Sequence, residues 1–268
     1  MHKSLYFIKL GGSVITDTSK PNTARYNVIK RLLTEVFEAK SEMGFDVIIG
    51  HGGGSFPHIP AKKYHVQEGI KGPNDAIGAA ITKLSAMELN SIIIKEGINL
   101  GIPVFSFPPS AFSIAKSKTI SKGFVDSISK SITAGFIPVV YGDVAIDTDQ
   151  GASIVSTEEV FRFLSTQMIP DAVIFGTDVN GVFTSDPKKD KNAIMIKQVD
   201  YTNIDSIVAV SGSADRADVT GGMKTKVSVL YNIVKSTGSR GYIIDITKEG
   251  HLKGLLTGKN EECTTVLP

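Results

Sequence analysis

Five glycine-centred segments could do chemistry, and two of them carry a lysine where a bound anion could reach it. The first is Lys9-Leu-Gly-Gly-Ser13, directly after an apolar run. Bare glycine backbone can approach a ligand closely, successive N–H groups can form an anion-binding nest, and Lys9 adds a point charge. The second is His51-Gly-Gly-Gly-Ser-Phe-Pro-His58. Three consecutive glycines cost about 2–3 kcal/mol in chain entropy relative to alanines, a cost a loop best tolerates where a ligand needs bare main chain. Neither segment matches the Walker A or G-x-G-x-x-G spacing, which excludes a P-loop or dinucleotide fingerprint. In the second segment His51 reads as a support beneath the loop, and His58 as the side chain able to reach an anion.

The third segment is Tyr141-Gly-Asp143, closing a Val-rich strand, where Asp143 could cap a helix, accept from substrate or organise lysines. The fourth runs from Gly176 through Thr177, Asp178, Gly181 and Asp186 to Pro187, and its composition favours turns. The fifth, Asp218 to Lys226, places Gly221 and Gly222 at the start of a helix that carries Lys224 and Lys226. Glycines at a helix N-terminus with a lysine one turn in suit a phosphate.

The elements that must position these segments alternate. Leu5–Leu10, Asp46–Gly50, Pro103–Phe107, Phe136–Tyr141, Ala172–Gly176 and Gly241–Ile246 read as buried strands. Ala24–Met43, Asp75–Leu100 and Lys224–Ser236 have helical spacing, and Ser156-Thr-Glu-Glu159 is a capping-box pattern opening another helix. The alternation predicts an α/β fold, a three-layer αβα sandwich around a mainly parallel sheet, with ligands beyond the carboxyl ends of the strands. The stripe Ile77, Ile81, Leu84 and Met87 is a candidate wall for an apolar substrate pocket.

Composition is that of an ordinary globular protein. The 268 residues are 41% hydrophobic and 21% charged, with a formal net charge of +2, so no global field points to nucleic acid or an anionic membrane. Cys263 is the single cysteine, which excludes an internal disulfide or a cysteine-based zinc site. No stretch reads as a run of roughly 20 apolar residues, and the expected location is the cytoplasm.

Taken in order, the segments resemble the amino acid kinase superfamily over nearly the whole chain, Lys9 to Val266, and most of all the isopentenyl phosphate kinases within it. The residues that carry the resemblance are Lys9–Thr16, His51–His58, Tyr141–Asp147, Thr177–Pro187 and Asp218–Met223. The resemblance implies one domain over residues 1–268, with an acceptor half (about 1–168) and a nucleotide half (about 169–268), usually as a homodimer. It implies ATP as phosphate donor, Mg²⁺ as cofactor, no metal ligand from the chain itself, and isopentenyl phosphate as acceptor in isoprenoid biosynthesis by the mevalonate pathway. By resemblance Lys9, His58 and Lys226 are catalytic. Gly11, Gly12, Ser13, Gly53, Gly221 and Gly222 hold ATP phosphates, and Thr177, Asp178, Gly181 and Asp186 face the nucleoside. Gly52, Gly53, Gly54, Pro57, His58, Gly142 and Asp143 meet the acceptor. Three positions depart from the family pattern. Thr18 stands where a second lysine is usual, with Lys20 two residues beyond; Pro57 replaces a glycine, and Glu158 replaces an aspartate. The alternatives these leave open are another phosphorylated or phosphonate acceptor, such as a mevalonate-pathway phosphate or fosfomycin, or a catalytically weak nucleotide sensor.

Overall fold

A computed structural model describes residues 3–210, 222–259 and 262–268. In chain order, β1 (Leu5–Leu10) leads through the four-residue α1 (Gly12–Ile15) into α2 (Tyr26–Met43) and β2 (Asp46–His51). α3 (His58–Lys63), α4 (Pro73–Asn99) and β3 (Val104–Ser106) follow. Next come α5 (Pro109–Phe112), β4 (Ser113–Lys116), β5 (Thr119–Gly123), α6 (Asp126–Thr133) and β6 (Ile137–Tyr141). β7 (Asp143–Asp147) and β8 (Gly151–Val155) precede α7 (Thr157–Ser165) and β9 (Ala172–Thr177). The remainder is β10 (Val182–Phe183), β11 (Met195–Ile196), β12 (Gln198–Val199), α8 (Ile204–Val210), α9 (Gly222–Thr237), β13 (Arg240–Asp245), α10 (His251–Leu256) and β14 (Cys263–Val266).

Among the described residues, eight strands form one sheet in the order β12-β14-β13-β9-β1-β2-β6-β3. Every pairing from β13 to β3 is parallel, and β14 runs antiparallel to β13. From β1 the chain winds one way to β2, β6 and β3 and the other way to β9 and β13. That reversal opens a crevice beyond the carboxyl ends of the central strands.

Strand periodicity then decides what faces the crevice from each side. Phe7 packs with Phe161 of α7, Phe175 and Leu230 of α9 in one core. Ile8 and Leu10 pack into a second core with Leu33 of α2, Leu89 of α4 and Leu252 of α10. Lys9 therefore shares its face with Phe7 and emerges beside α7 and α9. On β2, Val47 and Ile49 belong to the second core and Ile48 to the first. His51 accordingly points at α4, and Gly50 lies beneath α7, where a Cβ would meet Thr157 and Phe161.

Two expectations are corrected. The stripe Ile77, Ile81, Leu84 and Met87 is not a pocket wall, because these side chains are 57%, 38%, 56% and 40% exposed on the outer face of α4. The inward face carries small residues instead, Gly78, Ala79, Thr82, Ser85 and Ala86, which let the helix lie close to its neighbours. By length and composition α4 is also long and apolar enough to cross a membrane, with a mean hydropathy of 1.3 over 18 residues, although it carries buried Asn90 and Glu96. A feature not expected is a second, four-stranded sheet, β5-β4-β7-β8, standing at the end of the main one.

Glu35 ties α2 to the last helix. Its buried carboxylate accepts from the N–H groups of Gly250 and Lys253, each at 3.1 Å, and pairs with Arg31 at 2.5 Å. Glu35→Ala leaves the two N–H groups and a guanidinium without this acceptor, and should cost about 2–4 kcal/mol in urea unfolding. A loss below about 0.5 kcal/mol, the range of ordinary surface substitutions, would remove this carboxylate from the account of stability.

Candidate active site

The cleft at the strand ends has a volume of about 670 Å³. At its floor Lys9 Nζ lies 2.6 Å from Glu158 Oε1, with side chains only 7% and 5% exposed. Glu158 stands in the first turn of α7, whose N-terminus is fixed by Ser156 Oγ accepting from Glu159 N at 3.1 Å. Burial pushes the Glu158 carboxyl up, but the charges of Lys9 and Lys226 and the Lys9 hydrogen bond outweigh it and hold the group below the usual glutamate value. Glu158 is thus ionised and braces both lysines. Its extra methylene, relative to aspartate, does not keep it from Lys9. Lys226 stands at the cleft wall, where its Nζ reaches back to Gly222 O at 3.4 Å.

The two glycine turns touch each other. A Cβ on Gly12 would lie 2.4 Å from Gly54 N, and one on Gly52 would lie 2.7 Å from Gly12 N. Part of the glycine requirement is therefore main chain packed on main chain, which the sequence reading assigned to ligand alone. Gly54 takes φ +54°, and its missing Cβ leaves room for Thr16. Thr16 Oγ1 donates to Gly12 O at 2.8 Å and accepts from Ser55 N at 3.0 Å, stapling one turn to the other. The N–H groups of Gly53 and Gly54 make no hydrogen bond among the described residues. Pro57 lays its ring on Gly53, where a Cβ would meet it, and His58 opens α3 at the cleft wall.

The remaining expected residues are distributed along the same cleft. Gly11 and Ser13 stand with the first turn, and Gly142 and Asp143 at the end of β6. Asp143 Oδ2 accepts from Lys83 Nζ and Ser110 N, both at 3.1 Å, and Oδ1 from its neighbour Val144 N at 2.8 Å. Those bonds commit the carboxylate to holding α4 and α5 on β7. Thr177, Asp178, Gly181 and Asp186 line the other arm. There Lys188 Nζ pairs with Asp178 Oδ2 at 2.5 Å. Gly222 also lines the cleft, whereas Gly221 and the segment from Asp218 lie outside the described residues.

Several cleft residues were not anticipated. Lys188 and Lys189 add two cations just past Pro187, and Ala61, Ala86, Val144 and Ile154 supply apolar surface. Thr18 lines the cleft, but exposed Lys20 does not; it stands in a turn with its N–H on Asp17 O at 3.3 Å. Among the described residues no group of three or more His, Cys, Asp or Glu side chains is placed to hold a metal ion. A magnesium ion here would ride on the phosphates of a nucleotide, as this cation commonly does.

Comparison with known proteins gives the family and the fold. The amino acid kinase family model matches residues 4–245. The chain is 33% identical to an isopentenyl phosphate kinase of Methanothermobacter thermautotrophicus over 98% of both proteins. It is 32% identical to that of Thermoplasma acidophilum over 90% of this chain and 91% of the relative. Among solved structures, one of isopentenyl phosphate kinase superposes with a TM-score of 0.83 at 30% identity, covering 98% of this chain and 99% of the other. A UMP kinase from Ureaplasma parvum, at 14% identity and a TM-score of 0.66 over the full length of both, shares the fold.

Burial also makes the site a determinant of acid stability. Desolvation holds the buried His51 imidazole down at about 4, against an ordinary 6.5. Between those values the unfolded chain binds a proton the folded one refuses. Stability is therefore present in full above pH 6.5 and falls as pH drops toward 4, by about 3 kcal/mol. Urea unfolding at pH 7 and 4.5 should show the loss, and His51→Asn should flatten it; an unchanged slope would refute the assignment.

Proposed function

The chain belongs to the amino acid kinase family, and we propose that it transfers the γ-phosphate of ATP to isopentenyl phosphate, giving isopentenyl diphosphate and ADP. The observation that carries this reading is the composition of the cleft. His58 and the uncommitted N–H groups of Gly53 and Gly54 share it with the apolar side chains Ala61, Ala86, Val144 and Ile154. A short hydrocarbon ending in a phosphate suits such a wall. The named relatives are isopentenyl phosphate kinases, which supports the choice of acceptor.

An alkyl phosphate is largely ionised at neutral pH, so its oxygen needs no general base to attack. The oxygen forms a bond to the γ-phosphorus in line, the bond to the bridging β–γ oxygen breaks, and ADP leaves with that electron pair. What the protein contributes is position and charge. His58 and the Gly52–Gly54 turn hold the acceptor, and Gly11, Gly12 and Ser13 hold the nucleotide phosphates. Lys9 and Lys226 face the equatorial oxygens of the group in flight, with Glu158 keeping Lys9 in place. Thr177, Asp178, Gly181 and Asp186 take the nucleoside, and Lys188 and Lys189 add positive charge at that arm. Magnesium, bound with ATP, supplies further neutralisation of the phosphates. In this reading the acceptor half is about 1–168 and the nucleotide half about 169–268 of a single domain, working in the cytoplasm.

We further infer a homodimer, for which the exposed stripe Ile77, Ile81, Leu84 and Met87 is the natural contact face. Leu84→Glu should shift sedimentation to a monomer; a wild-type chain already monomeric at micromolar concentration would refute the dimer.

Coupled ADP release, screened over isopentenyl phosphate, dimethylallyl phosphate, phosphomevalonate and fosfomycin, should favour isopentenyl phosphate. Preference for a non-prenyl acceptor would overturn that choice. Lys9→Ala, Lys226→Ala and His58→Ala should each lower kcat about 10²–10³-fold with the fold intact. A folded Lys226→Ala protein of full activity would remove that lysine from the mechanism.

A further inference from the structure

A turn that presents N–H groups to a phosphate has a weakness when it is made of glycine. The Gly52–Gly53 peptide can rotate by half a turn at little steric cost, which would aim a carbonyl dipole at the anion instead. Something must set its direction. Gly52 N donates to Leu10 O at 2.9 Å, which fixes the residue's near side. The far side is held by His51, whose Nδ1 lies 3.1 Å from Gly52 O.

We propose that His51 is a positioning residue for the acceptor phosphate, clamping the Gly52 carbonyl back toward β2 so that the N–H at the other end of that peptide, Gly53 N–H, stays turned to the cleft. This rests on the acceptor site proposed above, and it assigns His51 a role distinct from that of His58. The surroundings of the ring specify how it works. A carbonyl can only accept, so Nδ1 carries the proton. The neutral ring must then accept at Nε2, where it meets the Asn90 amide: Nε2 lies 3.4 Å from Asn90 Oδ1, and Asn90 Nδ2 lies 2.6 Å from Ser106 Oγ. A half-turn of that amide satisfies every group at once. The Ser106 hydroxyl then donates to Asn90, Asn90 donates to His51 Nε2, and His51 Nδ1–H donates to Gly52 O. No charge is needed anywhere in the row, in keeping with a ring that is 1% exposed and kept neutral by burial. The Tyr141 ring stacks on the imidazole, with centroids 5.2 Å apart and planes 14° apart, which fixes its tilt.

The main chain of the same residue makes a second connection. Thr157 Oγ1 donates to His51 O at 2.6 Å, and Thr157 adjoins Glu158 at the start of α7. One residue thus references the acceptor turn to the helix that holds Lys9.

The test separates the two ring nitrogens. In the full-length protein, His51→Asn places an amide N–H where Nδ1 stands, His51→Gln places one where Nε2 stands, and His51→Phe keeps only the stack. The Gln and Phe variants should raise KM for the acceptor about tenfold, the worth of one hydrogen bond to a charged group, and leave KM for ATP unchanged. The Asn variant should restore acceptor KM to near the wild-type value. Acceptor and ATP constants rising together in step with a lower Tm, or Asn no better than Phe, would overturn the proposal. ¹⁵N NMR of the wild-type side chain, which needs no substrate, should find the Nδ1–H tautomer at pH 7. Finding Nε2–H would overturn the clamp even if isopentenyl phosphate is turned over. If Nδ1–H is found but isopentenyl phosphate is not turned over, the acceptor identity fails and the clamp stands, and the kinetic comparison moves to whichever phosphate the screen selects.

Discussion

Where β1 and β2 end, the main chain of Gly12 lies against that of Gly52 and Gly54, closer than a side chain on either would allow. The contact follows from the sheet. β1 and β2 are adjacent and parallel with Leu10 opposite His51, so their next residues leave the sheet side by side. The spacing between the two glycine turns is then set by van der Waals contact of backbone atoms, the least compressible ruler a protein has. Thr16 locks the contact with two hydrogen bonds.

Charge is organised around that ruler by strand periodicity. Because Lys9 is two residues from Phe7, it must leave β1 on the same face and meet the N-terminus of α7. A buried lysine without an anion would lose its proton, and a buried glutamate without a cation would gain one. Together they are mutually stabilised, and the charge of Lys226 acts on the same carboxylate. The Lys9–Glu158 pair is buried, so salt screens it far less than it would an exposed pair.

Most of the main sheet was legible, because a buried parallel strand is a dense apolar run and the long helices α2, α4 and α9 each end near a glycine. Leu5–Leu10 is identical in sequence reading and structure, and Asp46, Ala172 and Met43 mark element ends in both. The β4–β5 and β7–β8 sheet was not read, since Ser113–Gly123 is largely polar and one of its faces is exposed. The outer stripe of α4 was read as a wall because helical spacing gives a face and not its direction. In the site, the glycines and lysines were visible as local motifs. Their supports were not: Thr16 reaches Ser55, Thr157 reaches His51 and Lys83 reaches Asp143 across 39, 106 and 60 residues, and no local pattern records such pairs.

The place of β1 in the sheet has a consequence for how the molecule is made. β1 is central, and its partner on one side, β9, is not complete until Thr177. Until then β1 has an open edge, and the sheet order cannot be finished by any N-terminal fragment. Lys9 leaves the ribosome more than two hundred residues before Lys226. A chain that ends between them therefore has the Lys9 wall of the cleft and lacks the Lys226 one. The topology makes the complete cleft a property of a chain that has reached α9, and a shorter product carries the Lys9 wall without the Lys226 one.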